Sequence, residues 1–137
     1  MQHIIDNFNR QTAMKTLGAS LTHVESGEID ITLPFREDLC QQAGFLHAGM
    51  ITTVVDTACG FAAQTQMPID SDVVTVEFKV NFMSPAIGDS FVAKGRVVRA
   101  GRTLTVTQGD VYAINNAKGT EKHIATMQAT MFRVPTA

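Results

Sequence analysis

The chain is short of cysteine, of clustered positive charge and of long apolar runs, and each shortage closes a class of function. Its two cysteines, Cys40 and Cys59, cannot make a disulfide framework. Cys59 reads instead as a small buried hydrophobe. Lys and Arg number 11 against 13 Asp and Glu, and no basic cluster exists. That balance argues against a nucleic-acid or anionic-membrane partner. His3, His23 and His123 are scattered without metal-ligand spacing, so no metal is expected. No segment approaches the length of a membrane-spanning helix. No run combines the basic start and apolar core of a secretory signal. A soluble cytoplasmic protein is the expectation. Repeats, low-complexity tracts and linkers are also missing. With 137 residues and 45% of them apolar, the chain is expected to form one domain over 1–137 with a real core.

What is present is a regular succession of short periodic segments. Residues 2–16 have a loose helical spacing in Ile4, Ile5 and Phe8, which Gly18 should end. Ala19–Val24 is a weak strand, and Ser26-Gly27 signals a turn. Glu28–Phe35 alternates Ile29, Ile31, Leu33 and Phe35 with polar residues, the period of a half-buried strand, and Pro34 suits its end. Gly44–Gln66 carries the helical period, stopping before Met67-Pro68. Asp72–Met83 reads as a strand with Val74, Val76, Phe78, Val80 and Phe82 on one face. Thr75, Glu77, Lys79 and Asn81 take the other. Ser90–Arg99 and Thr103–Asn115 form a hairpin through Ala100-Gly101-Arg102, with a bulge expected near Gly109. Lys122–Val134 is the last strand. Strands joined by short turns predict an antiparallel sheet and an α+β class.

The long helix organises the rest. Ile51, Val54, Val55, Ala58, Phe61 and Ala62 make one apolar side. Gly49, Thr52, Thr53, Asp56, Gly60, Ala63 and Gln64 make the other, with Asp56 its only charge. A solvated helix face carries far more Lys, Glu and Arg. Both sides are therefore expected to be partly covered, the second by another copy of the chain, which predicts a homo-oligomer with a dimer as its unit. The helix start near His47 and Ala48 should offer free N–H groups. Eight residues separate Ala48 from Asp56, about 12 Å along a helix. The two can meet on one small group only if each comes from a different subunit. Backbone donors facing a carboxylate suit attack on an acyl carbonyl. On the helix pattern alone, Asp56 reads more readily as a solvated or hydrogen-bonded helix residue.

Leu46-His47-Ala48-Gly49 followed by Val54-Val55-Asp56 resembles the HGG…D signature of hotdog-fold thioesterases, in the phenylacetyl-CoA thioesterase-like branch. The resemblance continues through Thr75–Ala86 (TVEFKVNFMSPA) and the hairpin Arg99–Thr103, and covers nearly the whole chain from Gly18 onward. It implies a curved antiparallel sheet of five to six strands wrapped around one long helix, assembled into dimers and often tetramers. It implies hydrolysis of an acyl-CoA or aryl-acyl-CoA thioester without metal or redox cofactor, coenzyme A being part of the substrate. By position, Asp56 matches the catalytic carboxylate, as nucleophile or as base. The Ala48 N–H matches the donor to the thioester carbonyl. Gln41 and Thr75 match polar groups near that carbonyl or the attacking water. Gln41 and Ala48 would come from one subunit and Asp56 and Thr75 from the other. His47 is expected to order the helix start. Gly49, Val76, Phe82, Arg99 and Arg102 are substrate-binding candidates, the two arginines toward the phosphates of coenzyme A. The chain departs from the pattern at Ala48, where glycine is usual, and at Gln41, where the nearest branch has Asn. Two other readings stand beside this one: an acyl-CoA binding or sensing module without chemistry, and a hydratase. The hydratase would need a helical Asp–His pair, which is missing.

Overall fold

A computed structural model describes residues 1–136 as a six-stranded antiparallel sheet curved around one long helix. The order of elements is helix α1 (Gln2–Arg10), helix α2 (Thr12–Leu17), strands β1 (Ser20–Glu25) and β2 (Glu28–Pro34), then helix α3 (Ala48–Gln64). Strands β3 (Ser71–Phe82), β4 (Ser90–Ala100), β5 (Leu104–Asn115) and β6 (Thr120–Pro135) follow. In space the strands run β1-β2-β4-β5-β6-β3, so β1 and β3 are the edges. Among the described residues no helix is long and apolar enough to cross a membrane.

The single N-terminal helix expected over 2–16 is two helices. Gln11 is extended at φ −79° and ψ 98° and breaks it. The reason is packing. Nine residues at about 100° each would put Leu17 half a turn away from Phe8. The break lets Ile4 and Phe8 of α1 and Met14 and Leu17 of α2 all reach the core. Gly18 then ends α2 in the left-handed region, at φ 75°.

Helix α3 packs on the sheet along Ile51, Val54, Val55, Ala58 and Phe61, all buried. The sheet makes room for it with a pair of glycines. Gly95 of β4 and Gly109 of β5 face each other in register. A Cβ on Gly95 would lie 2.5 Å from the Ala58 carbonyl, and one on Gly109 would lie 2.5 Å from Val55 Cγ2. Gly109 is thus a contact point for the helix, which corrects the expected bulge. The bulges fall elsewhere, at Thr22, Val76, Val98 and Ile124, where the ladders skip a residue.

The bulge at Val76 matters most. It flips the alternation of β3, because one extra residue moves what precedes it to the opposite face. Thr75 pairs with Met131, which is fully buried, whereas Glu77 pairs with Thr130. Thr75 therefore faces the helix, on the same side as Phe78, Val80 and Phe82, and Val74 faces away. The expected grouping of Val74 with Phe78 and of Thr75 with Glu77 is overturned on this point. The outer edge of β3 pairs with nothing among the described residues, and Val74, Val76 and Phe78 are 50%, 56% and 44% exposed there.

Candidate active site

Two groups of residues stand at the two ends of α3. At its start, His47 is the N-cap: its Nδ1 accepts the Gly49 N–H at 2.7 Å, which puts the ring proton on Nε2. This is the ordering role expected of His47. It also explains Gly49, because a Cβ there would lie 2.9 Å from that Nδ1. The next N–H groups, of Met50 and Ile51, turn to the His47 carbonyl. The Ala48 N–H is left without a partner among the described residues. It opens on a hollow of about 370 Å³ bordered by Gln41, Phe45, Ile51, Phe82 and Met83. Gln41 sits in a tight turn. Its backbone N–H donates to Phe45 O at 2.9 Å, and its Oε1 accepts the Ala43 N–H. The carboxamide is thereby anchored through its oxygen.

Two turns further on, Asp56 is half-buried. The Thr75 hydroxyl donates to its Oδ1 at 2.8 Å, across from α3 to β3. Burial pushes the Asp56 carboxyl above its ordinary value, and the Thr75 hydrogen bond partly offsets that rise. The carboxylate borders a smaller hollow of about 110 Å³, shared with Gln11, Thr57, Gly60, Phe61, Val73 and Met131. At about 12 Å along the helix, the Ala48 donor and the Asp56 carboxylate of one chain cannot act on the same atom.

The fold thus brings Asp56 together with Thr75, and Ala48 together with Gln41, Gly49 and Phe82. It leaves the other candidates apart. Val76 is the exposed bulge residue. Arg99 and Arg102 are exposed on the β4–β5 hairpin and border neither hollow. The Cys40 thiol donates to Arg36 O at 3.6 Å. Cys59 is buried, and its thiol is pushed up to about 12, chiefly by that burial, so it stays protonated and inert. His23, Glu25 and Glu28 bring ligand atoms within 4.8 Å of one another on the β1–β2 hairpin. All three are exposed, and none borders either hollow.

Gly60 and Gln11 are among the residues of the Asp56 hollow that were not candidates from the sequence. Gly60 stands four residues after Asp56, hence on the same helix face, and that spacing could have flagged it. Gln11 offered no such signal. It arrives from the α1–α2 break, 46 residues from Thr57, whose hydroxyl it meets at 3.3 Å.

One long helix cradled by an antiparallel sheet, with a capped, donor-bearing start and a carboxylate two turns on, defines a hotdog-fold protein of the thioesterase type. The chain belongs to the thioesterase superfamily, whose family model matches residues 43–120. A thioesterase family protein from Silicibacter pomeroyi has the same fold, with a TM-score of 0.94 and 46% identity over 98% of this chain and 97% of that one. A Saccharolobus solfataricus protein whose name marks it as a candidate esterase is 33% identical over 69% of this chain and 66% of its own length. The match therefore spans just under two thirds of that relative. A Streptococcus mutans protein solved with bound acetyl-CoA is 26% identical, with a TM-score of 0.72 over 86% of this chain and 90% of that one.

Proposed function

We propose that the chain hydrolyses acyl-CoA thioesters to a free acid and coenzyme A, in sites shared across a homodimer. The observation that carries this reading is one helix with an unpaired N–H at its start and a hydroxyl-held, half-buried carboxylate two turns later. An antiparallel pair of α3 helices about a twofold axis sets the Ala48 N–H of one protomer opposite Asp56 of its neighbour, twice over. The free edge of β3, with its exposed Val74, Val76 and Phe78, supports such pairing, since an open apolar edge invites another strand. Dimers can associate further into tetramers. The acetyl-CoA bound by the Streptococcus mutans relative supports coenzyme A as the thiol.

The thioester oxygen accepts from the Ala48 N–H, and Gln41 Nε2 adds a second polar contact beside it. Ionised Asp56 takes a proton from water while the water oxygen bonds to the carbonyl carbon, or it attacks that carbon itself to form an acyl-aspartyl anhydride, which water hydrolyses to the free acid once the thiolate has left. Charge then develops on the oxygen, where the donor is already aimed. The C–S bond breaks, and the thiolate leaves and is protonated. Thr75 fixes the carboxylate at the face of the carbonyl. No resident metal or cofactor enters the reaction.

Release of free thiol from a panel of aliphatic and aromatic CoA esters tests the activity. Asp56→Asn is expected to lower turnover about a hundredfold or more with the fold intact, as loss of a base or nucleophile does. Near-normal turnover in that variant would reject the role of Asp56. Saturable ester binding without thiol release would identify a binding module instead.

A further inference from the structure

Gly60 is an odd residue for its place. It lies inside α3, where glycine is a poor helix former, and it is buried. Packing does not demand it. A Cβ built there meets only Val73 Cγ1, at 3.7 Å, an ordinary contact. Its backbone does not demand it either, since φ is not positive. Gly95 and Gly109 differ in this respect, because a methyl on either would strike the helix. What the missing methyl at Gly60 preserves is empty space, and that space is the hollow beside Asp56.

The hollow has a size and a wall. Its volume of about 110 Å³ holds roughly three to four water-sized groups at about 30 Å³ each. The pantetheine arm of a CoA ester is far too long for it, whereas a short acyl chain fits. Phe61 and Val73 give it apolar sides. Gln11 borders both it and a second hollow of about 240 Å³ that is also lined by Asn7, Arg10, Gln64 and Asp72. Phe61 and Val73 border both hollows as well, but they belong to α3 and the sheet. Gln11 alone comes from the N-terminal pair, held in place by Phe8 against Phe61 with ring centroids 5.9 Å apart.

We propose that the hollow beside Asp56 receives the acyl group of the thioester, with Gly60 setting its width and Gln11 closing it off from the space beyond, so that short acyl esters are the substrates. This rests on the reading of Asp56 as the reacting carboxylate. It makes Gly60 and Gln11 specificity-determining residues and gives the N-terminal helix pair a part in substrate choice.

Two variants push the pocket in opposite directions. Gly60→Ala fills it, with room for the methyl and a better helix former in place. Gln11→Ala joins it to the second hollow without removing a cap, since the Gln11 side chain caps neither helix. Thiol release is measured on acetyl-, butyryl- and octanoyl-CoA, and thermal unfolding confirms that both variants fold. The wild type is expected to favour butyryl over octanoyl. Gly60→Ala is expected to lower the kcat/KM ratio of butyryl to acetyl about tenfold, the usual effect of one methylene in a pocket. Gln11→Ala is expected to raise the ratio of octanoyl to butyryl by about as much. Hydrolysis with both ratios unmoved from the wild type overturns the pocket assignment and leaves the thioesterase reading standing. A wild-type chain that releases thiol from none of the three overturns the pocket assignment, and one that also releases none from aromatic CoA esters overturns both.

Discussion

Replacing Ala48 with proline removes one hydrogen-bond donor and little else. Ala48 is the first residue of α3, the position where proline is best tolerated in a helix. His47 before it has φ −62° and ψ 134°, the extended region that a residue preceding proline prefers. The N–H to be lost has no partner among the described residues, and the cap runs through Gly49 instead. The variant should therefore fold normally and lose about 10²–10³ in turnover, roughly 2.7–4 kcal/mol of transition-state stabilisation, as the loss of one oxyanion donor does. Asp56→Asn is expected to lose turnover for the complementary reason. Mixing the two distinguishes a shared site from a local one. In a randomly exchanged mixture, half the chains carry an intact donor and half an intact carboxylate. If each site draws one from either chain, about a quarter of the sites regain both, so turnover should recover to about a quarter of wild type. The assay is thiol release after subunit exchange, with heterodimer formation checked by native mass spectrometry. Verified heterodimers with no gain over the separate variants would refute crosswise sharing. Full activity in Ala48→Pro would refute the donor.

The raised Asp56 carboxyl has two further consequences. Activity needs the ionised form, so the acid limb of kcat/KM should lie above the ordinary carboxylate value of 3.8. Thr75→Val deletes the hydrogen bond that opposes the rise, and the limb should move to still higher pH; a pH–rate profile moving the other way would remove Thr75 from this role. For stability, the native state keeps the Asp56 proton at pH values where the unfolded chain has lost it. Stability contributed by this group therefore falls as pH rises from the ordinary carboxylate value through the raised one. Asp56→Asn escapes that loss, so it should unfold at a higher temperature than wild type at neutral pH. The gap should close below the ordinary carboxylate value; equal melting curves at neutral pH would refute the burial argument.

The sequence disclosed elements whose faces differ strongly. Ile29, Ile31 and Leu33 alternate, and all three are fully buried. The apolar side of α3 is also the buried side, and Gly18 ends the N-terminal helices. Features set by one element meeting another were hidden. Gly109 read as a flaw in a strand because its partner in contact, Val55, lies on a distant helix. The break at Gln11 answers to a core that α1 and α2 must both reach. The bulge at Val76 is silent in a run of valines, since Val74, Val76 and Phe78 look alike whichever face they take. That silence hid the orientation of Thr75, which the pattern alone would send to the polar face. The resemblance of Thr75–Ala86 to the family pointed to Thr75, whereas alternation pointed away from it. For the candidate site, local motifs singled out Ala48 and Asp56. Gln11 required the folded chain.

Three features of the single chain add nothing to its own stability: a solvent-facing N–H at Ala48 without a partner among the described residues, a desolvated carboxylate at Asp56 and an apolar edge on β3 that pairs with no described strand. Gly60 inside α3 is a fourth. Three of the four have a simple remedy by substitution. Proline fits at the first helical position, asparagine keeps the shape of aspartate, and a methyl fits beside Val73. Such local faults concentrate where function overrides folding. They also discriminate between readings. A module that only held acyl-CoA would use the N–H and the hollow but has no need of an ionised carboxylate kept partly out of water. A homodimer formed only for stability would cover the edge but has no need of a vacant helix face. Hydrolysis at a site divided between two protomers is the reading under which all four faults have a use.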